Sequence, residues 1–152
     1  MRNHQNGFTL VELLIVTGIL TYVIVALLKL FIYTSTSAQL GGNKTLALNE
    51  AQNKIEEIRN YSFDDAALAY SSMGSPGNTF DLSQLTGKGV VTIDLSVDDL
   101  LTIEVAVCWK DKYNRIVGED EDLDGALDIG EDANGNDKID SPVMLVTMRS
   151  KR

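Results

Sequence analysis

The chain has 152 residues, one cysteine and a formal net charge of −9, a length that suits one domain. The charge is local: residues 119–140 carry ten acidic side chains against one base, Lys138, and the remainder balances at twelve of each. A neutral body with one acidic block has no basic face, which argues against nucleic acid and anionic lipid head groups as partners, and a lone cysteine rules out an internal disulfide.

Residues 1–7, MRNHQNG, are polar, and residues 8–33 are almost wholly apolar, interrupted by Glu12 and Lys29. A helix over 8–33 is about 39 Å long, enough to cross a hydrocarbon core of about 30 Å with Lys29 reaching toward one interface. A secretory signal peptide is the bland alternative, with small residues at 35–38. Its apolar region should be shorter and free of a carboxylate. Charges flanking the apolar run give only weak support for an orientation. Residues 34–60 turn polar but keep a helical stripe at Leu48, Ala51, Ile55 and Ile58, with Glu50 and Lys54 spaced as an i, i+4 pair. The reading is one long helix whose second half packs on a domain, with Gly41-Gly42 its weak point.

Residues 61–152 form that domain. Residues 61–88 read as loop with a helical turn at 64–70. Strands follow at 90–95, 101–109 and 142–148, with a turn at 112–114 and a short return strand at 115–117. No crossover helices separate them, so the sheet is expected to be antiparallel and the fold class α+β. Cys108 alternates with Val105, Val107 and Trp109 and reads as a core thiol.

The segment GFTLVELLIV, residues 7–16, resembles the cleavage and assembly signal of the type IV pilin superfamily, which includes the pseudopilins of type II secretion: a polar leader ending in Gly7, then Phe8, then Glu12 in an otherwise apolar helix. The resemblance implies cleavage between Gly7 and Phe8 by a membrane-embedded prepilin peptidase, methylation of the new Phe8 amine, and registration of subunits through Glu12. It also implies a single-pass inner-membrane protein with a cytoplasmic N-terminus and a periplasmic or extracellular C-terminal domain. The partners it implies are other pilin or pseudopilin subunits and an inner-membrane assembly platform. Residues 51–60, AQNKIEEIRN, then YSFDD and VAVCWKD, look more like the minor pilin and pseudopilin branch than a major pilin. Lys29 departs from the pattern, near where many pilins carry a kinking proline. Independently of the family, a carboxylate in an apolar helix costs about 2.5–3.5 kcal/mol on insertion scales and calls for a partner. An α-amine on a neighbouring chain supplies one.

Within the acidic block, Asp120, Asp122, Asp124, Ala126, Asp128 and Glu131, with Gly125 at the turn, match the twelve-residue calcium loop of EF-hands. Odd-spaced carboxylates would wrap one hard cation, Ala126 offering a backbone oxygen and Glu131 closing the shell. The flanks are not helical, so the expectation is a calcium loop set between strands. Asp132, Asn134, Asn136, Lys138 and Asp140 repeat the spacing more weakly. Asp137 stands where glycine belongs and Val143 where the closing glutamate belongs, which leaves open a second, looser ion, a shared Glu131, or a solvated loop. Two rivals to a minor subunit remain: a major pilin, and a membrane-tethered calcium-binding or adhesive module that does not polymerise. An enzyme is disfavoured, because His4 lies in the leader and Cys108 would have no histidine partner.

Overall fold

A computed structural model describes residues 9–151. The chain divides into two compact units, Met1–Gln39 and Leu40–Arg152. Helix α1 (Leu10–Arg59) supplies the described part of the first and the start of the second. It stays helical through Gly41 and Gly42, so the glycine pair costs propensity without ending the helix. In the first unit the apolar side chains from Leu10 to Tyr33 are exposed, and α1 is long and apolar enough to cross a membrane. Structure and sequence agree on an α+β chain.

In the second unit, α1 is followed by α2 (Phe63–Ala69) and five strands: β1 (Thr79–Asp81), β2 (Gly87–Val97), β3 (Leu100–Lys110), β4 (Ile116–Val117) and β5 (Met144–Ser150). All pairings are antiparallel. The β3 strand is the hub. One of its edges takes β2 from Gly87↔Trp109 onward, and the other takes β4 at Trp109↔Val117 and then β5 from Ala106↔Met144 to Leu100↔Ser150. Alternation sends Leu101, Ile103, Val105, Val107 and Trp109 to the inner face, where they join Ala47, Ala51, Ile55 and Ile58 of α1 in one buried cluster.

Several sequence expectations shift. Ala47, not Leu48, heads the buried stripe, and Leu48 is left exposed. Glu50 does not pair with Lys54. It accepts hydrogen bonds from the N–H and hydroxyl of Ser83, while Lys54 pairs with Glu57 at 2.6 Å. The expected turn at 64–70 is a full short helix, because Ser62 caps it by accepting from Asp65 N–H at 3.1 Å. The stretch read as loop also holds β1. Strand β5 runs from Met144, and just before it Val143 is buried in the core with its carbonyl accepting from Val107 N–H at 3.0 Å.

Candidate functional site

Segment 118–141 leaves β4 and returns to β5, two strands that share one edge of β3, so its ends lie close together. Glu119 N–H donates to the Asp140 carbonyl at 2.9 Å, and Asp140 N–H donates to the Glu119 carboxylate at 3.0 Å. Between them the chain winds around its own carboxylates. Asp120 is fully buried; Oδ1 accepts from Asp124 N–H at 3.2 Å and Oδ2 from Gly125 N–H at 3.0 Å. Asp122 accepts from Asp124 N–H, and Asp124 from Ala126 N–H at 2.6 Å. These are the local turns that short acidic side chains favour. The chain turns back at Gly125, whose φ of +83° suits glycine.

The wrapping brings one carboxylate oxygen from each of Asp120, Asp122 and Asp124 within 4.8 Å of one another. Three carboxylate oxygens gathered this closely are a donor set of the kind a hard divalent cation takes. Burial pushes the Asp120 carboxyl above its ordinary range, and the nearby Glu131 carboxylate adds to the shift. Glu131 is itself buried and accepts from Glu121 N–H at 2.7 Å and Asp128 N–H at 3.0 Å. It is fixed across the loop without belonging to the tight aspartate group. Asp128 and Ala126 are exposed.

Twelve residues on, the same bonds recur. Asp132 accepts from Asn136 N–H at 3.1 Å and Asp137 N–H at 2.9 Å, Asn134 from Asn136 N–H, and Asn136 from Lys138 N–H. Asp137 adopts φ +59°, so the missing glycine does not prevent the turn. Asp140 accepts from the side-chain amides of Asn134 and Asn136. Val143 is buried in the core and has no part in the loop.

The place of the closing glutamate is held by Glu119, a residue the sequence reading passed over. Glu119 accepts from Ala133 N–H at 3.3 Å and Asp140 N–H at 3.0 Å. Those are the second and ninth positions of the second loop, and Glu131 binds the second and ninth positions of the first. Each glutamate precedes one loop and closes the other. The signal is present in the sequence: Gly-Glu-Asp occurs at 118–120 and again at 130–132.

At the other end of the chain, Gly7 and Phe8 lie outside the described residues. Glu12 sits exposed in the first turn of α1, where its N–H donates to Thr9 Oγ1 at 3.2 Å. Among the described residues it has no ion-pair partner, and its helical neighbours Leu13, Leu14 and Val16 are exposed and apolar. Residues 2–28 match the family described as the prokaryotic N-terminal methylation motif, a span containing Gly7, Phe8 and Glu12. Over this segment the chain is similar to proteins that carry that motif, which supports a relation to the type IV pilin and pseudopilin superfamily. The match ends just before Lys29, so the departure at that position falls outside it. No curated protein and no solved structure matches the chain. Pilin-type subunits are structural, and the exposed apolar helix has the length and composition that membrane anchoring requires.

Proposed function

We propose that the chain is a minor subunit of a type IV pilus or type II secretion pseudopilus, made as a precursor and built into a filament from the inner membrane. Prepilin peptidase cuts between Gly7 and Phe8, and the new Phe8 amine is methylated. Glu12 then pairs with that amine on a neighbouring subunit in the low dielectric between packed helices. The methylation motif over residues 2–28 carries this reading, and the exposed Glu12 on an apolar helix supports it. The C-terminal domain stands in the periplasm or outside the cell, and an inner-membrane platform drives assembly. Intact-mass analysis of protein from native membranes tests the processing. The expected mature chain begins at methylated Phe8, and Gly7→Leu accumulates as precursor. A mature mass that retains residues 1–7 overturns the reading and favours a tethered module.

Registration has its own test. Glu12→Val should insert into membranes at least as well as the parent, since it removes a cost of about 2.5–3.5 kcal/mol. Its incorporation into sheared filaments should nevertheless fall. Normal incorporation would strip Glu12 of any part in aligning subunits.

The acidic loops stabilise the domain by holding calcium. One ion lies among Asp120, Asp122, Asp124, the Ala126 carbonyl, Asp128 and Glu131. A second lies among Asp132, Asn134, Asn136, the Lys138 carbonyl and Asp140, closed by Glu119. The donor set and the repeated winding support both sites. Glu119→Gln should weaken the second ion about tenfold or more and spare the first, seen in calorimetry as two unequal sites. Equal weakening of both sites, or of neither, contradicts the exchange of closing glutamates.

A further inference from the structure

The loops also have an underside. Leu123, Leu127 and Ile139 pack on Val90 and Cys108, on the sheet face turned away from α1. On the same face Lys138 pairs with Glu104 at 2.8 Å, and Gly125 lies close against Thr79 and Lys88. Gly118 lies so close over Cys108 that a Cβ there would collide with the sulfur, and the Asp140 carbonyl lies 3.9 Å from it. Beneath this cover Cys108, the only thiol in the chain, is 1% exposed. Val90, Ala106 and Met144 stand side by side across three strands. The first two are buried and Met144 is exposed. The segment therefore covers one end of an apolar row that continues openly through Val146 and Met148.

Two forces on the segment oppose each other. Three apolar side chains hold it down, while ten acidic residues with a single base push it apart when no counter-charge is present. Opening costs little backbone pairing, because its ends are already fastened to β3 through β4 and β5.

We propose that segment 118–141 is a cation-latched cover: calcium holds it shut over the Cys108 thiol, and removal of calcium lets it lift while the sheet stays folded. The inference rests on the calcium reading above and adds that loading controls access to the thiol and to the apolar row beside it. In the closed state, oxidants and electrophiles do not reach Cys108. In the open state the thiol is accessible and the apolar row lengthens toward Val90.

The test is maleimide labelling of the full chain in detergent micelles, followed by mass, with calorimetry and circular dichroism on the same samples. At free calcium about one hundred times the dissociation constant, labelling should be about 100-fold slower than in chelator for each ion that opening releases, with the sheet signal retained in both. Equal labelling rates alongside measured calcium binding overturn the cover and leave the calcium reading standing. Calorimetry without binding brings down the calcium reading and the inference together. Labelling in chelator that coincides with loss of the sheet signal is unfolding and also overturns it. Leu127→Ser, which removes an apolar peg and no carboxylate, should still bind calcium yet label in calcium at nearly the chelator rate. Full protection in that variant would show that something other than the cover shields the thiol.

Discussion

Calcium should raise the thermal midpoint of the C-terminal unit by roughly 10 °C or more per bound ion, followed in the full chain by the fluorescence of its single tryptophan, Trp109. An ion at one hundred times its dissociation constant contributes about 2.7 kcal/mol, and a domain of this size shifts by about 4–8 °C per kcal/mol. Magnesium should do much less, because it demands a smaller octahedral shell than these loops supply. Asp122→Ala should remove the first ion's share. Asp122 is the cleaner target because it is exposed, whereas the buried Asp120 also holds the Asp124 and Gly125 N–H groups. Asp137→Gly, at φ +59°, should leave calcium binding intact and relieve backbone strain by up to about 1 kcal/mol. Equal midpoints in calcium and chelator would return the acidic block to a solvated loop.

Trp109→Ala should cost about 3–5 kcal/mol, a large share of the roughly 5–15 kcal/mol that such domains possess. Trp109 is fully buried at the point where β2, β3 and β4 meet. Facing it is Gly87, where an added Cβ would press on the Trp109 backbone, so the surroundings are too tightly built to collapse into the gap. Trp109→Phe should cost far less. It keeps a ring in place and removes an indole N–H that has no hydrogen-bond partner among the described residues. Chemical denaturation in saturating calcium measures both variants, and a Trp109→Ala cost below about 1 kcal/mol would contradict the packing described.

Long periodic features are legible in the sequence and non-local choices are not. The apolar run, the buried positions Ala51, Ile55 and Ile58, and the alternation of 101–109 follow from periods of 3.6 and 2 alone. The head of the stripe escapes at Leu48, because Ala47 and Leu48 are adjacent and periodicity alone does not fix which of the two turns to the sheet. Leu48 lines a shallow groove with Pro142 and Met144 instead. Glu50 turns to Ser83, thirty-three residues away, a contact that no helical spacing predicts. Strand β1 is three residues long and exists because β2 offers it an edge. Glu119 escapes because motif reading runs forward from the first aspartate, and the residue that closes the second loop comes before the first.

Arg149 of β5 reaches across to the end of α1, where its guanidinium donates to the Tyr61 carbonyl at 2.6 Å and to the Arg59 carbonyl at 3.4 Å. A positive group on these carbonyls caps the helix where its dipole is negative. Together with the stripe from Ala47 to Ile58, it fastens the helix to the sheet at several points at once. Tension drawn through α1 must then shear four buried side chains and an arginine grip together, rather than peel one contact after another. The helix is thus a shaft set firmly in the sheet, and Arg149→Ala should lower the force at which it pulls free.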